Sequence, residues 1–168
     1  MAVPMNIQYP LFLKILTFDR ELAERAGAEV VIGVVYQERV RESWLAKDEF
    51  LRAVESSPVE RVKELSVRAV AISLDNPADL EDALVRHEID VMYVSPLRAF
   101  DIGQITQLAR ARSVLTLTGV PEYVDSGIAI GIGLSGDLPE ILINLRAAKA
   151  EGADLHASLL RLATLTKE

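Results

Sequence analysis

Apolar and polar positions along the chain switch repeatedly between two periods, and each switch marks an element. From about Ile7 to Thr17, Leu11, Phe12, Ile15 and Leu16 recur at helical spacing. A second short helix is expected between Asp19, a good N-cap, and Gly27, a good stop. The run Glu29-Val-Val-Ile-Gly-Val-Val35 is β-branched and nearly uninterrupted, as in a strand buried on both faces. Arg41 to Glu55 returns to helical spacing through Trp44, Leu45, Phe50, Leu51 and Val54, with Trp44 and Phe50 expected in the core. Strands follow at Ala69–Leu74, Ile89–Val94 and Ser113–Thr118. Helices separate them, one opened by Asp75-Asn76-Pro77 and running to His87, the other spanning Asp101 to Arg112.

Strands alternating with helices imply βαβ units with right-handed crossovers. The expected fold class is therefore α/β, a Rossmann-like and mostly parallel sheet flanked by helices. After Gly119 the rhythm changes. Pro121 to Asp125 suits one helical turn, and two extended runs, Ser126–Gly133 and Pro139–Asn144, are joined by the turn residues Leu134-Ser-Gly-Asp137. This predicts a C-terminal β-hairpin. The terminal helix carries a stripe of Leu145, Ala148, Gly152, Leu155, Leu159 and Leu162, with Gly152 placed to divide it and Asp154 to cap the second part. Its exposed face is a candidate interface, although burial within one chain is the commoner use of such a stripe. No linker or low-complexity segment interrupts residues 1–168, which are expected to form one domain.

Composition narrows the function classes. Half of the 168 residues are hydrophobic and 26% are charged, an ordinary globular balance. A net charge of −7 argues against nucleic acid, which requires a basic stripe. The absence of cysteine excludes disulfides, thiolate catalysis and cysteine-based metal sites. Two histidines cannot by themselves build a histidine-rich metal centre, and no apolar run is long enough for a membrane helix. The opening MAVPMNIQYP lacks a basic n-region and an apolar h-region; it suits equally a chain begun after a removed signal and a cytosolic protein.

Gly131 to Gly136, GIGLSG, spells the dinucleotide fingerprint G-x-G-x-x-G. That motif needs a helix N-terminus directly after the glycines, whereas Asp137-Leu-Pro-Glu here leads into β-rich Ile141-Leu-Ile143. A glycine-bearing hairpin with close approach by a neighbouring segment is the expectation. The carboxyl ends of the parallel strands, where ligands bind in open sheets, carry a polar rim from which Tyr36, Asp75, Ser95 and Thr118 are the candidate ligand-binding residues. The competing reading has them capping turns and lining the rim. Asp79, Glu81 and Asp82 fall on a solvated helix surface, His87 suits a helix C-terminus, and His156 has no assignable partner. No catalytic residue, cofactor or metal is assigned.

The C-terminal quarter is the most distinctive part of the chain. Ser126-Gly-Ile-Ala-Ile130, Ile143-Asn-Leu145, Ala147-Ala148, Gly152 and Leu159-Leu-Arg-Leu-Ala163 resemble the YfiR-like family. Lys14-Ile-Leu-Thr-Phe-Asp-Arg20, Ile32-Gly-Val-Val-Tyr36 and Val114-Leu-Thr-Leu-Thr118 extend the likeness over most of the chain. The resemblance implies a non-enzymatic periplasmic regulatory domain, often a homodimer, that controls a membrane-bound signalling protein such as a diguanylate cyclase through its periplasmic region and so acts in the cyclic-di-GMP pathway. This chain lacks the cysteines some members use in disulfides, and His156 stands where a small hydroxyl residue is common. A second likeness joins Ile89-Asp-Val-Met-Tyr-Val-Ser-Pro96 and Val114–Thr118 to one lobe of periplasmic substrate-binding proteins. It implies the alternative of a small-molecule sensor.

Overall fold

The computed structural model describes residues 2–57, 61–76 and 78–166. Its elements run α1 (Met5–Leu16), α2 (Leu22–Ala26), β1 (Glu29–Tyr36), α3 (Arg41–Ser56), β2 (Arg61–Val62), β3 (Leu65–Ser73), α4 (Asp79–Arg86), β4 (Val91–Val94), α5 (Ile102–Arg112), β5 (Leu115–Thr118), α6 (Glu122–Asp125), β6 (Ile130–Ser135), β7 (Leu138–Ile143), α7 (Leu145–Ala150), α8 (Ala157–Leu162) and β8 (Thr164–Leu165). The strands form one open sheet in the order β2-β3-β1-β4-β5-β6-β7-β8. Only β2–β3 and β6–β7 pair antiparallel. The α/β class and the C-terminal hairpin are as the sequence predicts.

β1, β4 and β5 are buried along nearly their whole length because helices cover both faces of the sheet. Alternate residues of β1 serve two cores. Val30, Ile32 and Val34 face α1, α3, α7 and α8, while Val31 and Val35 face α4 and α5. The centre of the first core is aromatic. Phe50 stacks on Tyr93 at 4.5 Å, Tyr9 meets Phe50 edge-on at 5.3 Å, and Phe12 meets Tyr93 at 5.8 Å. The Tyr93 hydroxyl is satisfied by donating to Gln8 Oε1 (3.1 Å), and Gln8 Nε2 donates to Val3 O (2.6 Å).

The hairpin disposes of the nucleotide motif. Gly131 and Gly133 pair with Leu142 and Glu140 in the β6–β7 ladder, and no helix starts at the glycines. A Cβ on Gly131 would lie 2.5 Å from Val124 Cγ2, and one on Gly133 would lie 2.8 Å from Pro121 Cγ. The close approach expected for these glycines is thus made by α6 and the turn before it. Gly136, at φ 65°, occupies the first central position of the two-residue loop, where glycine is favoured.

Several local expectations need correction. Asp19 is not the N-cap of α2; Glu21 holds that position, and Asp19 is fully buried beneath it. Trp44 lies on the outer face of α3 and is 41% exposed, its ring covered by Lys47 Nζ at 4.6 Å, whereas Phe50 is buried as expected. The terminal stripe breaks into α7 and α8. His156 caps α8, its Nδ1 accepting the Ser158 N–H (3.0 Å), while Asp154 pairs with Arg20 (3.0 Å). α4 begins at Asp79; the expected Pro77 opening lies outside the described residues. β2 and β8, two residues each, have no period for the sequence to display.

Candidate functional site

β1 lies between β3 and β4, so the sheet order reverses there and opens a crevice beyond the strand ends. All four candidate rim residues lie along this end, but they do not converge on one cavity. Asp75 lines a shallow pocket of about 330 Å³ with Gln37, Arg39, Val40, Leu74 and Phe100. Its Oδ1 accepts the Glu38 N–H (2.9 Å), and Arg39 Nε stands 4.0 Å from Oδ2. Tyr36 is turned toward α3, with Lys47 Nζ 4.8 Å from its ring centre. Partial burial, then the charges of Glu38 and Asp75, raise its phenol above the usual range.

Ser95 is fully buried. Its N–H donates to Val35 O (3.0 Å), and its Oγ has no hydrogen-bond partner among the described residues. Thr118 is equally buried, but its hydroxyl is committed: Oγ1 donates to Val94 O (2.9 Å) and accepts the Val120 N–H (3.1 Å). Between these residues the crevice is bridged twice. Gln37 donates through Nε2 to Arg98 O (3.0 Å) and accepts the Arg98 N–H at Oε1 (2.7 Å). The Tyr123 hydroxyl accepts the Leu97 N–H (2.9 Å) and donates to Leu97 O (3.3 Å). Both clamps seize the loop after β4, and neither has a sequence signal because each joins residues far apart in the chain.

The opposite end of the sheet gathers buried charge. Asp19 accepts the N–H groups of Glu21 and Asp154 (3.0 Å each) and an N–H of Arg25 (2.7 Å), while Arg25 also donates to Gly152 O (2.9 Å). Asp90 Oδ2 accepts the Val31 N–H (2.9 Å); burial nevertheless lifts its carboxyl to about 6. Glu151 is lifted to about 8 by burial, against the hydrogen bonds from Thr116 that favour its ionised form. Each carboxyl is engaged with backbone amides, and Glu151 also with the buried Thr116 hydroxyl. These groups join strands to helices. Among the described residues, no three of His, Asp and Glu gather as a metal site.

The third feature is a groove of mixed polar and apolar lining that no local sequence pattern displays as a whole. A groove of about 820 Å³ lies between α1 and the outer half of the hairpin, lined by Ile7, Leu11, Lys14, Leu138, Ile141 and Leu162 among others. Leu138 and Leu162 are 71% and 72% exposed, and Ile7 is 42% exposed. Isolated exposed leucines are ordinary, but several around one groove form a contact surface. The signal was present in part: Leu162 continues the stripe that buries Leu155 and Leu159.

Fold and site together define an open α/β lobe with a clamped crevice and a side groove. The chain belongs to the YfiR/HmsC-like family, whose model matches residues 12–164. No curated protein is matched by the chain. Among solved structures it is similar to the ABC domain in complex with L-Trp from Streptococcus pneumonia (TM-score 0.63, 13% identity, covering 96% of this chain and 60% of that one). It is also similar to a conserved domain protein from Vibrio cholerae O1 biovar eltor (0.58, 16%, 99% and 61%). A third is the ligand-free, open form of a substrate-binding protein with adhesive properties from Clostridium difficile (0.60, 16%, 88% and 57%). The chain thus spans about three-fifths of each of these proteins. At such identities the likeness establishes the fold alone: a mostly parallel open sheet flanked by helices, similar to part of a substrate-binding protein. Among the described residues, no helix is long and apolar enough to cross a membrane.

Proposed function

We propose that this protein is a non-enzymatic periplasmic regulator that acts by binding the periplasmic region of a membrane signalling protein, such as a diguanylate cyclase. The observation that carries the reading is the family match over residues 12–164. The structure is compatible with it: exposed Leu138 and Leu162 flank a side groove, and the buried carboxyls hydrogen-bond backbone amides of the fold. The test is co-expression with membrane cyclases encoded beside its gene, followed by affinity recovery. Retention of one such cyclase supports the reading, and recovery of none of them with the folded chain contradicts it.

A second reading is favoured by one observation, the buried Ser95 Oγ that has no hydrogen-bond partner among the described residues, at the sheet switch point. Here the protein is a small-molecule sensor whose site uses Tyr36, Asp75, Ser95 and Thr118. The similarity to a domain bound to L-Trp and to a substrate-binding protein supports an amino acid or similar metabolite as the class to try. A ligand that binds only the folded chain raises its apparent stability, so thermal shift against a panel of amino acids and related metabolites separates the two readings.

A further inference from the structure

A second pocket, of about 520 Å³, opens between the first half of α1 and the last turns of α3. Its volume is that of a small-molecule site, and its wall is mostly apolar, with Pro4, Tyr9 and Pro10 on one side and Ala53 on the other. The two helices are held together beneath it by Tyr9, whose ring meets Phe50 edge-on at 5.3 Å. None of the four rim residues lines it.

The polar groups in this wall lack the partners that folding normally supplies. Tyr9 is 1% exposed, yet its hydroxyl makes no hydrogen bond among the described residues, whereas buried hydroxyls are normally paired. That oxygen is not sealed inside the core; the sliver of Tyr9 left open includes it and lies in this pocket. Burial raises the phenol to about 12, so it remains a neutral donor. At the start of α1, Ile7 and Gln8 donate to Pro4 O (3.0 and 2.9 Å), but the N–H groups of Met5 and Asn6 find no partner among the described residues, and no side chain caps them. Pro10, inside the same helix, has no N–H to offer the Asn6 carbonyl one turn before it. Asn6 and Pro10 both line the pocket, so this orphaned acceptor lies on the pocket side of α1.

Two opposed fields decide the charge of an occupant. The uncapped start of α1, with no acid in its first turn, disfavours a cation. Glu49 lines the same pocket without a cationic partner among the described residues and disfavours an anion, because Arg52 is already paired with Asp48 at 2.8 Å. We propose that the α1–α3 pocket binds an uncharged, ring-bearing alcohol or phenol. A hydroxyl is the one neutral group that both accepts from Tyr9 and donates to the Asn6 carbonyl, and the ring packs against Pro4, Tyr9, Pro10 and Ala53. The site is separate from the rim, and the inference rests on neither reading above.

The experiment titrates the full chain with naphthol, naphthoate and naphthylmethylamine, which share a ring system and differ in charge, and reads thermal shift and amide chemical shifts. Naphthol should raise the apparent melting temperature and move the amide signals of Asn6, Tyr9 and Ala53. The anion and the cation should each bind at least about threefold more weakly. Tyr9→Phe removes only a hydroxyl without a partner, so the free chain should keep its stability while naphthol affinity falls about fivefold. Ala53→Leu extends a side chain into the pocket and should abolish the response. A wild-type chain that ignores naphthol, or that takes a charged analogue equally well, overturns the inference. A response unchanged in Tyr9→Phe or in Ala53→Leu does the same, and one lost in Ser95→Ala instead assigns the ligand to the rim. Should Ala53→Leu not fold, wild-type chemical-shift changes confined to residues away from α1 and α3 overturn the inference equally.

Discussion

Glu151 Oε1 accepts the Thr116 N–H at 2.8 Å, and both carboxyl oxygens lie within 3.0 Å of the Thr116 hydroxyl. That hydroxyl also accepts the Ala129 N–H (2.9 Å), so one buried acid holds the starts of β5 and β6 against the end of α7. The Thr116 N–H and hydroxyl favour the ionised carboxyl, but burial outweighs them and keeps its pKa raised.

This has a signed consequence for stability. The carboxyl titrates near 4.5 when unfolded and near 8 when folded. Between those values the unfolded chain has lost the proton that the native chain keeps, so stability falls as pH rises through the window. Asp90 acts in the same direction, but only up to about 6. From about pH 6 to 8 the decline therefore reports Glu151 and should reach on the order of 2 kcal/mol. Glu151→Gln should flatten the urea-unfolding free energy across that range. An unchanged slope in the variant would assign the decline elsewhere.

At the hairpin, Gly131→Val places carbon where Val124 already sits. Overpacking of this kind typically costs about 1–3 kcal/mol. Denaturation midpoints should drop for Gly131→Val, and for Gly133→Val against Pro121. Loss of nucleotide binding with stability intact would revive the dinucleotide reading of the motif.

Asp19 is fully buried with Arg25 at 2.7 Å, and it gathers two backbone amides from segments far apart in sequence. Arg25→Ala leaves that carboxylate uncompensated and should destabilise by about 3–5 kcal/mol. Arg20→Ala, which removes an exposed pair with Asp154, should change stability by less than about 1 kcal/mol. Thermal unfolding of the two variants side by side checks the contrast.

Ser95→Ala removes a buried hydroxyl with no partner among the described residues, so the free chain should lose no stability beyond about 1 kcal/mol. Thermal shift with the metabolite panel then tests the sensor reading. A stabilising ligand whose effect disappears in Ser95→Ala would place the site on the rim. Equal responses in both chains would place it elsewhere.

The parts of the fold that the sequence displays are those with a long, one-sided or two-sided apolar period. β1 is legible because its six consecutive buried residues, Val30 to Val35, leave no polar face to confuse it, and α5 because Asp101 caps it where the pattern starts. β3 begins four residues before Ala69 because Leu65–Arg68 is a half-exposed stretch in which Arg68 reaches solvent and pairs with Glu29. Trp44 misled because an exposed aromatic can be covered by a lysine on its own helix rather than by the core. Glu151 could have been found: it lies three and four residues beyond buried Ala148 and Ala147, an acid on the inward side of a helix. Tyr36, Asp75, Ser95 and Thr118 lie at or just beyond the strand ends. That Thr118 is committed and that Gln37 and Tyr123 bridge the crevice depends on contacts no local pattern encodes.

Regulation through protein contact is tested by calorimetric titration of the purified chain into the periplasmic regions of membrane diguanylate cyclases from the same genome. Saturable one-to-one binding to one of them is the predicted result. No heat of binding from any of them, together with a rim-dependent thermal shift on a metabolite, would contradict it.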